Sequence, residues 1–263
     1  MSISTNAQHY FQAIVRGISN GSLFAKMQRY WSSRQVDRAV VKQYGLKIKN
    51  GPFAGINYIM IPPYRGLSAK LLGSYERELH PAFEEAIKAA YRVLINVGSA
   101  EGSYSVGYAV KVPQSTVYAF DIDPREQEFC RQLAAANNVS GRVHVSAECT
   151  PQDFEKLITP GSTLILMDCE GCEDELLDPQ KAPKLLQADI ILEIHDFTDS
   201  TLKDRIRTRF STTHTIRQYD YHPRNPDDVP EVRFLKTEAQ RQLAVMERDT
   251  NAQSWFYLRR IAV

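Results

Sequence analysis

No stretch of this 263-residue chain is apolar for long enough to span a bilayer, and neither sign of charge prevails. Its 32 Lys and Arg stand against 31 Asp and Glu, a formal net charge of +1. The first absence argues against a transmembrane helix. The second removes the basic signature of a protein that binds nucleic acid or anionic membrane surfaces. The start, MSISTNAQHYFQAIVRG, lacks the basic beginning and long apolar core of a secretory signal, so a soluble, cytoplasmic protein is expected. Cysteine is scarce too. The four residues, Cys130, Cys149, Cys169 and Cys172, are too few and too clustered for a disulfide scaffold. Cys169 and Cys172 form a CxxC that suits a redox pair or half a zinc site, but no second CxxC or HxxxH completes a zinc site. Internal repeats and low-complexity tracts are also absent.

What is present is ordinary globular composition, 43% hydrophobic and 24% charged, at a length that suits one large domain or a domain with an extension. The chain is organised around LINVGSAEGSYSVG, Leu94 to Gly107. An apolar run (Val93, Leu94, Ile95, Val97) stops at Gly98, and Gly102 and Gly107 follow. A buried strand, a glycine turn and a helix give this pattern, with the helix's free N–H groups expected to face the mouth of a sheet. The same pattern also fits a strand–turn–helix with no ligand.

Residues 5 to 45 read as helices. Tyr10, Phe11, Ile14, Val15 and Ile18 recur at helical spacing, Gly21 interrupts, and Leu23, Phe24, Met27, Tyr30, Trp31, Val36, Ala39, Val40 and Tyr44 resume. These helices can cover the core, pair with a second copy of the chain or form a lid. Arg34, Arg38 and Lys42, spaced by four, read as a solvated face. Leu46 to Ile61 reads as a hairpin about Asn50–Gly51. KLLGSYERELHPAFEEAI then reads as one helix, with Lys70, Tyr75 and Glu76 as candidates for closing over a nucleotide. The expected division is an extension over 1–69 and a ligand-binding domain over 70–263.

From residue 93 onward strands and helices alternate. Strands are expected at Val93–Val97, Thr116–Phe120, Arg142–Val145, Leu164–Met167, Ile190–Ile194, His214–Tyr219 and Trp255–Ile261. Helices are expected at Arg125–Asn137, Pro151–Leu157 and Leu202–Phe210. Such alternation argues for an α/β fold, a mostly parallel sheet with helices on both faces, whose ligands sit beyond the strands' carboxyl ends.

Polar residues gather at those ends. Asp121, 23 positions after Gly98, can accept hydrogen bonds from both ribose hydroxyls of a nucleotide, while Asp123 and Pro124 suit a helix start. The fourth strand ends in DCEGCEDELL, delivering Asp168 and Glu170 to the mouth; Glu173, Asp174 and Glu175 read as acids favoured by a helix dipole. The fifth ends in LEIHDF, where Glu193 and His195 share a side under two-residue alternation and Asp196 follows. His195 can take a proton near neutral pH, and Asp168, Glu193, His195 and Asp196 can equally hold a divalent metal such as magnesium.

INVGSAEGSYSVG, YAFDIDP, LILMDCEGCEDELL and ILEIHDF together resemble the class I S-adenosylmethionine-dependent methyltransferases, and most closely the FkbM-type family. That family's fourth-strand signature is similar to Asp168, Glu170, Gly171 and Glu173 here. The resemblance spans about Val93 to Phe197, covers the late strands loosely and hardly touches the first 60 residues. It implies a Rossmann-like seven-stranded sheet with an antiparallel last strand. It also implies S-adenosylmethionine near Gly98, Ser99, Glu101 and Asp121, with Asn96, Tyr104, Ile122, Glu148 and Asp168 completing the candidate cofactor set. Two departures stand out. Asn96 occupies a position where such enzymes often carry an acid, and an insertion, Tyr221 to Asn251, can cover an acceptor pocket or be a surface loop.

The resemblance implies O-methylation of a hydroxyl on a sugar or other small metabolite, with neither nucleic acid nor membrane as partner. His195 is the expected base, with Asp168 and Glu170 orienting the acceptor directly or through a metal. The rivals are a non-catalytic nucleotide-binding domain and an NAD-dependent oxidoreductase; the latter wants a tighter G-x-G-x-x-G than glycines at 98, 102 and 107 provide.

Overall fold

The computed structural model describes residues 22–60, 66–195, 200–247 and 253–261. The helix read at 5–18 and the candidate ligand Asp196 lie outside them.

Seven strands form one sheet: β1 (Val93–Val97), β2 (Thr116–Phe120), β3 (Val143–Ser146), β4 (Thr163–Met167), β5 (Asp189–Ile194), β6 (His214–Asp220) and β7 (Ser254–Arg260). Their order is β3-β2-β1-β4-β5-β7-β6, and β7 runs antiparallel to both neighbours while the others are parallel. This is the Rossmann-like α/β arrangement expected from the sequence, with the late strand reversed. Each strand matches its reading within a residue or two, because an apolar run bounded by glycine or acids has little freedom in a sheet buried on both faces.

Two-residue alternation splits the core. Leu94, Val117, Leu164, Leu166 and Ile191 face one hydrophobic cluster, and Ile95, Ile165, Met167, Ile190 and Leu192 face the other. Val97 stands level with Phe120 and Met167, and Met167 with Leu192. The residues that follow these strands therefore emerge together at one edge. The chain turns back between β1 and β4, so a crevice opens there.

Helices α1 (Ser22–Tyr44), α2 (Leu67–Leu72) and α3 (His80–Ala89) precede the sheet. Arg38 and Lys42 of α1 are exposed, as a solvated face requires, and Arg34 is half-buried. On the opposite side Val36 and Val40 are buried, and buried Asp37 accepts hydrogen bonds from the Ser68 amide and hydroxyl. The hydrophobic cluster crosses residue 69: Val36, Ile48 and Phe53 pack in it with Leu94 and Val117, and the 69/70 boundary falls inside α2.

Two local expectations need correction. Residues 46–60 do pair antiparallel: the Tyr58 amide donates to the Leu46 carbonyl at 2.7 Å and the Ile48 amide to the Ile56 carbonyl at 2.9 Å, around one bridge between Lys47 and Asn57. The arms are too short to count as strands, however, and the bend is a wide loop rather than a tight turn at Asn50–Gly51. The Lys49 amide bonds to the Leu71 carbonyl instead of a partner strand, and Phe53 and Ile56 are drawn into the core. The segment read as one helix over 70–87 is broken. Gly73 ends α2 in the left-handed conformation, with the Asn50 carbonyl oxygen 2.3 Å from where a Cβ would sit. A single 3-10 turn, Arg77–Leu79, then leads into α3, which Pro81 opens.

After β1 the helices are α4 (Ser103–Lys111), α5 (Pro124–Ala136), α6 (Pro151–Leu157), α7 (Glu173–Leu176), α8 (Leu202–Phe210) and α9 (Glu238–Val245). Asp123 caps α5 by accepting from the Arg125 amide at 2.8 Å. The inserted segment after β6 is anchored to the turn after α2. Buried Arg224 donates to the Ser74 carbonyl, to Glu78 and to Glu247. None of residues 221–247 lines the crevice at Gly98.

This network makes stability pH-dependent. Burial pushes the Glu247 carboxyl up to about 7 even though Arg224 pulls it down. Between the ordinary value of 4.5 and about 7, the folded chain holds a proton that the unfolded chain releases. Stability is therefore expected to fall as pH rises through that window, by roughly 3 kcal/mol at about 1.4 kcal/mol per unit. Urea unfolding across pH 4.5–7.5 measures the slope. Glu247→Gln should flatten it, and an unchanged slope would contradict the assignment.

Candidate active site

The crevice at the strand ends is a cleft of about 590 Å³, a size that suits a nucleoside-sized ligand. Gly98, Ala100, Asp121, Ile122, Glu148, Asp168 and Glu170 line it. Because β1 lies between β2 and β4, the residues after β2 (Asp121, Ile122) and after β4 (Asp168, Glu170) flank the glycine turn. Gly98 has φ +77°, and a Cβ on it would fall 1.6 Å from the Asp168 carbonyl oxygen. The glycine is thus required for β1 and β4 to end side by side. Ala100 (φ 45°) and Glu170 (φ 58°), both lining the cleft, are non-glycine residues held left-handed.

The amides at the start of the turn that precedes α4 are bonded to the end of β2. Gly98 and Ser99 both donate to the Phe120 carbonyl at 2.9 Å, and Ala100 donates to Asp121 Oδ2 at 2.7 Å. Asp121 Oδ1 accepts from the Asp123 amide at 2.9 Å. A carboxylate has about four acceptor positions, so Asp121 is fixed by two bonds and keeps capacity for two more. Ile122 is 81% exposed beside it, an apolar surface that a flat ring can cover. The Ser99 hydroxyl is buried without a hydrogen-bond partner among the described residues.

The remaining cofactor candidates lie elsewhere. Asn96 Nδ2 donates to Ser105 Oγ at 2.8 Å. Glu101 accepts from the Tyr58 hydroxyl at 2.6 Å and pairs with Lys70. Burial alone would raise its pKa, but the Lys70 charge and the hydrogen bonds from Lys70 and Tyr58 together overcome that and hold Glu101 below its ordinary value. Tyr104 donates to Glu76 and stacks on Phe83. Lys70 and Glu76 therefore hold Glu101 and Tyr104 rather than lining the cleft, and Tyr75 packs under the Lys70 ammonium, which lies 4.9 Å from the Tyr75 ring centre.

Asp168, Glu170, Glu193 and His195 come together. His195 Nε2 lies 3.4 Å from Glu170 Oε2, 3.5 Å from Asp168 Oδ1 and 3.8 Å from Glu193 Oε1. Glu193 and His195 are buried, Asp168 is partly open and Glu170 is exposed. His195 Nδ1 is bonded to Glu173 Oε1 at 2.6 Å. Burial alone would lower the His195 pKa, but the Glu173 hydrogen bond and charge, then Asp168 and Glu170, overcome it and raise it above 6.5.

Glu173 is the residue at this cluster that the sequence reading misplaces. It does begin a helix, yet it is fully buried against the imidazole instead of facing solvent at the dipole. The available signal was its i, i+3, i+4 spacing with buried Leu176 and Leu177. Asp174 keeps a structural part, paired with Arg205 and Arg209. Cys169 and Cys172 form a local disulfide that spans Glu170 and Gly171, so as bonded they cannot be half of a zinc site.

Among the described residues, no helix is long and apolar enough to cross a membrane. No family model matches the chain, and no curated protein matches it. Among solved structures the chain is similar to an rRNA methylase from Streptococcus thermophilus, at 10% identity over 72% of this chain and 99% of that one, with a TM-score of 0.49. It is similar to a precorrin-6y C5,15-methyltransferase from Geobacter metallireducens, at 14% identity over 67% and 87%, with a TM-score of 0.46. It is also similar to an O-methyltransferase from Bacillus cereus in complex with SAH, at 11% identity over 86% and 90%, with a TM-score of 0.45.

Proposed function

We propose that the protein is an S-adenosylmethionine-dependent methyltransferase that methylates a hydroxyl of a small polar metabolite such as a sugar, and that it belongs with the FkbM-type enzymes its motifs resemble. One observation carries the choice of ligand. The amides of Gly98, Ser99 and Ala100 are taken by the Phe120 carbonyl and Asp121, so these three offer no donor to a phosphate. The cleft is walled instead by Asp121, Glu148, Asp168 and Glu170. Such a site repels a dinucleotide's phosphates and attracts a nucleoside that carries a sulfonium charge.

S-Adenosylmethionine, when bound, supplies an activated methyl group together with its leaving group. The chain's residues do the rest. Asp121 keeps acceptor capacity for the ribose hydroxyls, and Ile122 offers apolar cover for the base. The buried Ser99 hydroxyl is a polar group at the turn with a bond still to make. On the other side of the glycine turn, Asp168 and Glu170 hold the acceptor hydroxyl, and the imidazole–carboxylate cluster takes its proton as the oxygen attacks. With the donor bound, the attacking oxygen would take the methyl group as the C–S bond broke and its electron pair stayed on sulfur, so the protein's part is to align the acceptor and remove its proton. Glu173 acts through His195 by fixing the ring's orientation.

Asp121→Ala should weaken binding of S-adenosylhomocysteine by about 100-fold, since a hydrogen bond to a charged group is worth about 1.5–3 kcal/mol. Calorimetry measures it, and an affinity within about threefold of wild type would contradict the ribose role. The function itself is tested by incubating the chain with methyl-labelled S-adenosylmethionine and a panel of sugars and polyols. Label in an O-methyl ether supports the reading; binding of the donor without transfer to any acceptor favours a non-catalytic domain.

A further inference from the structure

We infer that Asp168, Glu193 and His195 Nε2 form a site for a divalent cation of the manganese class, at the junction of the donor cleft and the ends of β4 and β5. The ion's part in catalysis rests on the methyltransferase reading; the site itself stands on its own geometry.

Three observations converge. One ligand atom from each of the three residues can be chosen so that all lie within 4.8 Å of one another. Ligand atoms around a six-coordinate ion lie roughly 3 Å apart when adjacent and about 4.3 Å apart when opposite. The separations of 3.5 and 3.8 Å from Nε2 to Asp168 and Glu193 fall within that span.

The imidazole is also braced as ligating histidines are. Glu173, itself fully buried, bonds to Nδ1 and leaves Nε2 aimed at the carboxylates. A carboxylate behind the ring fixes the tautomer and strengthens the nitrogen as a donor toward a metal.

The third observation is charge. Glu173, Glu170, Asp168 and Glu193 all approach the ring nitrogens within 3.8 Å. Glu193 and His195 are only 2% and 4% exposed, so two of the three ligands are withdrawn from water. A bound cation offsets the cost of burying carboxylates side by side. One imidazole with two hard oxygen ligands suits manganese better than a thiolate-seeking metal.

The partly open Asp168 borders the cleft, so the ion's remaining positions face the acceptor. Two adjacent hydroxyls of a polyol can fill them, which specifies the acceptor class further. With Nε2 committed to the ion, the acceptor's proton passes to the exposed Glu170 carboxylate.

The test is a Mn²⁺ titration of the full chain followed by the paramagnetic resonance signal of the free ion, with and without saturating S-adenosylhomocysteine. One bound ion per chain is expected. Glu193→Gln and His195→Gln should each weaken it at least tenfold, and Glu173→Gln by about 10–100-fold. Bound S-adenosylhomocysteine in each variant reports that it is folded; Asp168→Asn, at a more open position, is the second probe should Glu193→Gln fail to fold. Wild type that binds S-adenosylhomocysteine but neither Mn²⁺, Zn²⁺ nor Mg²⁺ at millimolar concentration would overturn the ion site and leave the methyltransferase reading intact. Mn²⁺ binding unchanged in all the variants would overturn it too. Mn²⁺ bound and lost on mutation, in a chain that ignores S-adenosylhomocysteine, would support the site and sink the methyl-donor reading.

Discussion

Gly98→Ala is expected to cost about 3 kcal/mol or more of stability and to abolish S-adenosylhomocysteine binding. The left-handed backbone at Gly98 costs a residue with a Cβ about 1 kcal/mol or more. The larger part is steric. The new methyl carbon would lie 1.6 Å from the Asp168 carbonyl oxygen, a backbone atom that cannot swing aside as a side chain can. Overfilling a packed site costs about 1–3 kcal/mol where the surroundings can give. Here giving means parting β1 from β4 at the level of Val97 and Met167, which displaces Asp168 from the cleft. Urea unfolding and calorimetry measure both effects. A variant of near-wild-type stability that still binds the ligand would show that this close approach does not shape the cleft.

His195→Ala is expected to lower turnover by about 10²–10⁴-fold, the range typical of losing a positioned acid–base group, while S-adenosylhomocysteine affinity stays within about threefold. The asymmetry follows from placement. The imidazole sits among Asp168, Glu170, Glu173 and Glu193, whereas the groups assigned to the nucleoside, Asp121 and Ile122, follow β2 on the other side of the glycine turn. The loss falls on turnover whether the ring takes the proton or holds a cation. Equal loss of turnover and affinity would instead mean that His195 supports the cleft as a whole.

The strands and the residues at their ends were legible because each apolar run stops abruptly. Gly98, Asp121 and Asp168 follow buried strands that stand level in the sheet, and period-two alternation correctly put Glu193 on the same side as His195. The contacts that decide what each polar group does were not legible, since they come from segments distant in sequence. Tyr58 and Lys70, outside the central motif, take Glu101. Asn96 is the exception in distance: Ser105, within the same motif and 9 residues on, takes it once α4 folds back on β1. Glu173 looked like a dipole partner because local sequence cannot show that the one-turn helix α7 presses its first residue onto a histidine 22 positions away. The broken helix at Gly73 and the wide loop at 46–60 have the same origin, because each segment is shaped by the backbone of the other.

The central claim is spatial, and a crystal structure of the chain with S-adenosylhomocysteine tests it directly. The ribose hydroxyls should lie on the Asp121 carboxylate and the adenine against Ile122. The sulfur should face Asp168 and Glu170, behind which His195 Nε2 lies 3.5 and 3.4 Å away, with room for one methyl group and an acceptor oxygen between. Ligand seated anywhere else, or a cleft left vacant at saturating concentration, would contradict the account.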